Sequence, residues 1–323
     1  MKLMLKQSAV ALMLTGIAFG AAAQNYPTKP IRVVIPFAPG GGIDPVGRMI
    51  ASRMSEELGQ PVIIDNRAGA NGIIGSENVA NSPPDGYSLL YTTSSTLVTG
   101  QFLVKKLPFD VFKDFSHIAI IYETFQAIAV NPGVPARTTT ELIELIKRNP
   151  GKFSYASSGV GSAFHLWGEL FQQVAGVTMI HVPYKGISQA FGDLVSGRVS
   201  ISFYSYNQIL PLAEAGKMRF ISIMDTKRYA GAPDIPAIAE EVTGFQKMPS
   251  WISLSGPAGM PRPLIVRLNA SVIKGANAPD VRAEFLKGGA QLVGSNPEQF
   301  VARMKADIEV TAKVVKAAGI LPE

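Results

Sequence analysis

The sequence predicts an α/β fold built around two sheets, and three observations carry that reading. Short apolar, β-branched runs alternate with helical periodicity from Ile31 to Met224. Such alternation marks strands joined by crossover helices, and so largely parallel sheets. Two apolar runs, Ile118–Ile121 and Ala127–Val130, follow one another across "YETFQ" with no helix between them. Consecutive strands without a crossover helix mean that the chain passes from one sheet to another. A glycine-rich turn recurs three times where a strand gives way to a helix.

The first stretch, "MKLMLKQSAVALMLTGIAFGAAAQ", stands apart from the fold. It carries Lys2 and Lys6, an apolar run from Ala9 to Phe19, and small residues at Ala21 and Ala23. This is the pattern of a secretory signal cleaved near Ala23/Gln24, and it predicts a periplasmic product. The apolar run is short, and no later segment reaches the roughly 18 apolar residues of a spanning helix. Next come strands at Ile31–Ile35, Val62–Ile64 and Ser88–Tyr91, with helices at Asp44–Glu57 and Ile73–Ala80 between them. Beyond the crossing the strands are Met179–Val182, Val199–Phe203 and Phe220–Met224. The helices there are Thr139–Lys147, Ser162–Val174, Gln189–Val195 and Gln208–Ala215. A second crossing is expected near "PSWISLSGPAGMP", residues 249–261. From Pro261 onward the pattern is helix after helix, ending in "NPEQFVARMKADIEVTAKVVKAAG" with Asn296 as N-cap and Pro297 at the first helical position. The expected organisation is a signal at 1–23, a discontinuous domain at 24–124 and 250–323, and an inserted domain at 125–249.

Composition narrows the function classes. With 323 residues and 47% of them hydrophobic, the chain can fill the cores of one large or two medium domains. It has no cysteine. A thiol nucleophile is therefore impossible, and the stability of an exported product rests on core packing. Losing Lys2 and Lys6 with the leader lowers the formal charge from +6 to +4, a weak attraction for anions. The densest basic spots, "KRNPGK" (147–152) and "MDTKRY" (224–229), read as solvated surface. Neither belongs to a nucleic-acid motif, so no nucleic-acid partner is expected.

The glycine turns are "IRVVIPFAPGGGIDPVGRMI" (31–50), "DNRAGANGIIGSENVA" (65–80) and "YASSGVGSAFHLWGEL" (155–170). Helix starts leave N–H groups unpaired and carry about half a positive charge, and glycines let a ligand approach those amides. A phosphate-cradling loop needs a Lys after its glycines, and none follows here. The dinucleotide fingerprint fails because Pro45 and Phe164 stand where its third glycine belongs. Catalytic signals are equally absent: there is no G-x-S-x-G elbow, and His117, His165 and His181 lack zinc-ligand spacing. No metal or cofactor is expected. His165 reads as a packed or backbone-bonded histidine, or as a polar contact at the ligand mouth; a general base would need a nucleophile and an orienting partner. Asp44 reads as the cap of the helix that follows, and Arg48 and Arg67 as structural charge partners. None of the three glycine runs contains Arg or Lys, which favours a carboxylate held by amides, hydroxyls and water. Hydroxyls at Ser94, Ser95, Ser157, Ser158 and Ser162 gather after strands, where α/β proteins bind ligands.

Taken together, these segments resemble the Bug-type periplasmic solute receptors, the binding proteins of tripartite tricarboxylate transporters. The matching stretches are "YPTKPIRVVIPFAPGGGIDPVGR", "NRAGANGIIGSENVANSPPDGY", "SSGVGSAFHLWGELF", "HVPYKGISQAFGDLVSGRV" and "GPAGMPRPLIVRLN". The resemblance implies a two-domain flytrap of the periplasmic type II-like class, with mixed and parallel sheets flanked by helices and joined by two crossover strands. It implies a ligand carboxylate held between the lobes, partly through water. Carried over by position, the first lobe would offer Phe37, Pro39, Gly40, Gly41, Gly42 and Asp44, with Ala70, Thr93 and Ser94. The second would offer Ser157, Ser158, Gly161, Ser162, His165 and Tyr204, with Tyr184 near the rim. The family often reads Phe-Asp-Asn where this chain has Phe203-Tyr204-Ser205. The missing carboxylate argues against a ligand with an ammonium group, while Tyr204, Tyr206 and Phe125 point to an aromatic or elongated acid. The ligand classes are thus aromatic and dicarboxylic acids. The partner is a membrane transporter or, alternatively, a sensor kinase ectodomain. An exported hydrolase using His165 or Asp44 is the remaining, weaker reading.

Overall fold

The computed structural model describes residues 26–40, 42–185 and 187–322. The expected signal and Gly41 lie outside the described residues. The chain forms two mixed sheets flanked by helices. The first sheet begins with β1 (Ile31–Ile35), β2 (Val62–Asn66) and β3 (Ser88–Thr93), with helices α1 (Asp44–Leu58) and α2 (Ile73–Ala80) between them. β1 pairs in parallel with both β2 and β3. A π turn (Ser95–Thr99) and the short α3 (Gly100–Leu103) follow β3. The long β4 (Phe115–Thr124) then runs out to the second sheet, where β5 (Ala127–Val130) begins three residues later.

The second lobe adds α4 (Thr139–Arg148), β6 (Ser154–Ser157), α5 (Ala163–Ala175), β7 (Ile180–Pro183), α6 (Ile187–Ser196), β8 (Ile201–Ser202), α7 (Tyr206–Glu214) and β9 (Arg219–Ile223). The chain returns through β10 (Trp251–Pro257) and closes with α8 (Arg262–Ala276), α9 (Pro279–Lys287), β11 (Ala290–Leu292) and α10 (Pro297–Ala317). Strand order is β11-β4-β10-β3-β1-β2 in one sheet and β7-β6-β8-β5-β9 in the other. β10 lies antiparallel between β3 and β4, and β5 antiparallel between β8 and β9. The antiparallel pairs occur where the chain changes lobe without a crossover helix, which is why the sheets are mixed rather than largely parallel.

Local chemistry accounts for the helix ends. Thr138 accepts the Glu141 amide at the start of α4, and Asn296 and Gln299 form a reciprocal capping box on α10. α1 and α5 stop at Gly59 and Gly176, both left-handed. β6, "SYAS", has little apolar signal, yet all four of its residues are buried in mid-sheet. The stretch 95–103, "STLVTGQFL", mixes Ser, Thr, Val and Gly with its apolar residues, so its helical turns were not visible in the pattern. Among the described residues, no helix is long and apolar enough to cross a membrane.

The crossings are fastened to one another. Thr124 donates its amide to the Ser250 carbonyl at 3.0 Å, and Ser250 Oγ donates back to the Thr124 carbonyl at 2.7 Å. Beside them Lys247 pairs with Glu123 at 3.0 Å and also with Asp225. α10 spans the junction: Phe300 and Met304 pack with Trp251 and Leu90, while Val314 and Val315 join the second lobe's core with Leu170 and Phe171. Within that core Gly168 lies against the Tyr155 ring, where a Cβ would meet Cε2 at 2.3 Å. Tyr155 is buried and its hydroxyl is tied to Glu169, so the ring has little freedom to move aside. Gly168→Ala should therefore cost about 1–3 kcal/mol through overpacking, read as a lower urea midpoint with an unchanged slope.

Candidate functional site

The three glycine turns occupy the C-terminal ends of β1, β2 and β6, the edges where α/β sheets present ligand sites. The first runs from Pro36 to Ile43. Gly40 is left-handed at φ +73°, and neither Gly40 nor Gly42 has anything within 4 Å of where a Cβ would project. Asp44 is buried and occupies the first residue of α1, with Ile43 as the cap position. The expected capping role is thus corrected, because its carboxylate reaches back rather than along the helix. It accepts from Gly40 N at 2.9 Å, Arg48 Nε at 2.9 Å and Asn66 Nδ2 at 2.8 Å. Burial acts to raise the Asp44 carboxyl, but these bonds from Arg48, Gly40 and Asn66 outweigh it and hold the group below its ordinary range. Arg48 and Arg67 are structural partners, of Asp44 and Asp65. Asn66, which sequence reasoning passed over, also donates to the Phe37 carbonyl. Its position at the end of β2 was the available signal.

The second turn is the most contorted. Gly69, Ala70, Asn71 and Gly72 all have positive φ, at 142°, 46°, 50° and 91°. Two consecutive non-glycine residues in that region are uncommon and cluster at ligand clamps. Thr96 Oγ1 donates to the Asn71 carbonyl, and Ser76 Oγ to the Gly72 carbonyl. In the third turn Ser162 caps α5 by accepting the His165 amide. Ser157 is buried, with its hydroxyl accepting from Gly159 N and lying 2.6 Å from His181 Nε2.

Between the second and third turns lies a cleft of about 630 Å³. Ala70, Asn71, Ser95 and Thr99 line it from the first lobe, and Ser158, Gly161, Ser162 and Phe164 from the second. No charged side chain is among its lining residues. A hollow of about 690 Å³ beside Asn269 and Asn296 belongs to one lobe alone and lies away from the glycine turns. Of the residues expected at the site, Ala70, Ser158, Gly161 and Ser162 line the cleft. Phe37 packs on the first lobe's core and approaches Gly72. Pro39, Gly40, Gly42 and Asp44 belong to the neighbouring strap, and Gly41 is not described. Thr93 and Ser94 stand at the end of β3, with the Thr93 hydroxyl buried and unpartnered. Sequence reasoning missed Asn71, Thr99 and Phe164 as lining residues, and placed Ser95 only within a general polar cleft.

His165, Tyr184 and Tyr204 take supporting positions. His165 lines a neighbouring hollow with His181 and accepts the Gly161 amide on Nδ1 at 3.0 Å. Tyr184 donates its hydroxyl to Asp193 at 2.6 Å, and burial together with that carboxylate pushes it up to about 12. Tyr204 is fully buried behind Phe164, ring centroids 4.8 Å apart, and its hydroxyl has no partner. Tyr206 and Phe125 pack instead with Tyr229 in a separate cluster by the crossings. The grouping of Tyr204, Tyr206 and Phe125 around a ligand is thereby corrected, since only Phe164 gives the cleft an aromatic wall.

Two α/β lobes joined by crossing strands, with strand ends and helix starts facing a shared cleft, define a two-lobed solute-binding protein of the flytrap class. The chain belongs to the tripartite tricarboxylate transporter family receptor (TctC) family, which it matches over residues 46–320. It is 32% identical to protein BugT of Bordetella pertussis, across 94% of both chains. Among solved structures it is similar to Rpa4515 of R. palustris with adipate, at 32% identity and TM-score 0.78, covering 93% of this chain and 100% of that one. It is also similar to MatC of Rhodopseudomonas palustris with bound malate, at 28% identity and TM-score 0.73, covering 90% and 100%. The family is one of receptors, so the chain is a binding protein and not an enzyme.

The strap at Gly40 depends on one carboxylate. Asp44→Asn should cost about 1–3 kcal/mol at neutral pH, the range for disturbing a buried charge-assisted hydrogen bond. Because the folded carboxyl is held below its ordinary 3.8, its contribution is present above that value and fades as the pH falls below it. Urea titrations of both proteins should show the gap between them narrowing in acid.

Proposed function

We propose that the protein is a periplasmic receptor that captures a small organic carboxylate between its lobes and hands it to a tripartite tricarboxylate-type membrane transporter. The observation that carries this reading is the cleft itself. It brings together the hydroxyl-bearing residues Ser95 and Thr99 from one lobe and Ser158 and Ser162, at the start of α5, from the other, and among the described residues no charged side chain lines it. Such a surface suits a carboxylate, whose charge is met by oriented backbone dipoles. The anchoring group would meet Ser158, Gly161 and Ser162 on one side and Ala70 on the other. Adipate and malate on two relatives favour an aliphatic dicarboxylate. The position of Tyr206 and Phe125 outside the cleft removes the main argument for an aromatic acid. The two lobes, 24–124 with 250–323 and 125–249, would close by bending at the crossings. A hydrolase has no support, since His165 is occupied by Gly161.

Calorimetry of the natively purified protein with adipate, malate and benzoate tests this. A dicarboxylate should bind with about micromolar affinity, equivalent to roughly 8 kcal/mol. Ser158→Trp, which fills the cleft, should weaken that binding by at least about a hundredfold while the thermal midpoint stays close to that of the parent. Absence of binding to every carboxylate tried, or undiminished binding by Ser158→Trp, would overturn the reading.

A further inference from the structure

Behind the third glycine turn two histidines from different elements lie face to face. The rings of His165 (α5) and His181 (β7) stack with centroids 3.9 Å apart and planes 8° from parallel. Each reaches the turn. Gly161 N–H donates to His165 Nδ1 at 3.0 Å, and Ser157 Oγ, which accepts the Gly159 amide, lies 2.6 Å from His181 Nε2. One amide of the turn is therefore held directly by an imidazole, and a second by a serine that also reaches the Gly159 carbonyl at 3.0 Å and rests against the other imidazole. The first bond also fixes a tautomer: Nδ1 must be free of hydrogen, so the neutral His165 ring carries its proton on Nε2.

Among the described residues, the surroundings of the pair are sparse in charge. Glu169 on α5 lies 3.6 Å from His165 Nε2, and it accepts from Tyr155 Oη and Gln172 Nε2. The Tyr155 ring, from β6, stacks 5.0 Å from His181. Lys105, just beyond α3, lines the same hollow as both histidines, and the tail at Ala318–Pro322 closes it without a titratable side chain.

We propose that His165 and His181 are positioning residues that hold the 157–162 turn in its capturing shape only while both rings are neutral, so that acid loosens the grip on the ligand. This rests on the reading of that turn as part of the capture site. Burial holds both imidazoles below their ordinary 6.5, with His181, further depressed by His165, at about 4. The pair is thus neutral at pH 7. Protonation of His165 at Nδ1 sets one N–H against another at Gly161, and charging both rings places two cations in face contact. The unfolded chain takes up these protons first, so the pair also makes folding stability decline as the pH falls from 6.5 towards about 4.

NMR of the histidine- and glycine-labelled protein without ligand tests the device on its own. At neutral pH His165 should show the Nε2–H tautomer, and the Gly161 amide should lose its hydrogen-bonded shift in step with titration of the pair. A His165 ring protonated on Nδ1 at pH 7, or a Gly161 amide indifferent to that titration, overturns the proposal. With adipate as probe, affinity should fall by up to about tenfold per pH unit for each proton that the free protein takes up and the bound form excludes. His165→Asn, which keeps an acceptor near Gly161 but cannot be charged, should flatten this profile. His165→Leu should bind weakly throughout. A wild-type slope in His165→Asn refutes the positioning role. Failure of adipate and other carboxylates to bind at pH 7 counts against the capture reading instead, and the NMR titration still decides whether the pair controls the turn.

Discussion

Ala70 and Asn71 are held in left-handed backbone between two glycines that are themselves at positive φ. Each such non-glycine residue costs about 1–3 kcal/mol and persists only where neighbours over-determine it. Here the neighbours are Thr96 and Ser76, whose hydroxyls hold the carbonyls of Asn71 and Gly72. The same logic governs the other two turns. Asp44 and Asn66 fasten the strap at Gly40 from behind, and Ser157 with His165 fasten the third turn. In each case the polar side chains are committed to the backbone, at carbonyls in the second turn and at amides in the first and third. Turns held in this way keep one shape, and a site built on them needs little rearrangement to meet a ligand.

This arrangement depends in turn on the two crossings that place one lobe opposite the other. Thr124 and Ser250 join the outgoing and returning strands, and Lys247 lies between the carboxylates of Glu123 and Asp225, one on each side of the junction. Arg303 approaches Glu123 and pairs with Asp307, whose other oxygen accepts from Trp251 Nε1. A network this enclosed is a weak source of net stability, because desolvation opposes the attraction. Its effect is geometric. It ties α10, both crossings and the end of β9 to a single set of distances.

How much of this was legible in the sequence depends on what each residue does. Apolar strands such as Ile31–Ile35 declare themselves, because burial on both faces demands a continuous run of large side chains. β6 does not, since Ser154 and Ser157 spend their hydrogen-bonding groups inside the fold and resemble loop residues from outside. The glycine turns were legible because positive φ needs glycine; Ala70 and Asn71 break that code and are visible only in the folded chain. Asp44 was misjudged by one position. Its local spacing matches an N-cap, while the groups that claim its carboxylate, Gly40 and Asn66, include one 22 residues away. Tyr204, Tyr206 and Phe125 illustrate the converse limit. They are close in sequence or chemistry, but β8 and the crossing direct them into different clusters.

The same division explains why the anchoring end of a ligand is easier to infer than the rest of it. An amide reads a carboxylate by direction and charge, and the turns that supply amides carry a sequence signature. Beyond that anchor the cleft is bounded by Val160, Phe164, Leu103 and Ile73, side chains that discriminate by volume. A single methylene in such a wall is worth about 1–3 kcal/mol, so modest changes of side chain there would retune the length of ligand that the proposed site admits. Tyr204 deepens the point, for it stands behind Phe164 with a buried hydroxyl that has no partner among the described residues. A polar atom in that position has a desolvation cost that an apolar side chain of similar size would avoid. Substitution of the wall residue in front of it therefore alters both the room available to a ligand and the polarity of what the ligand meets.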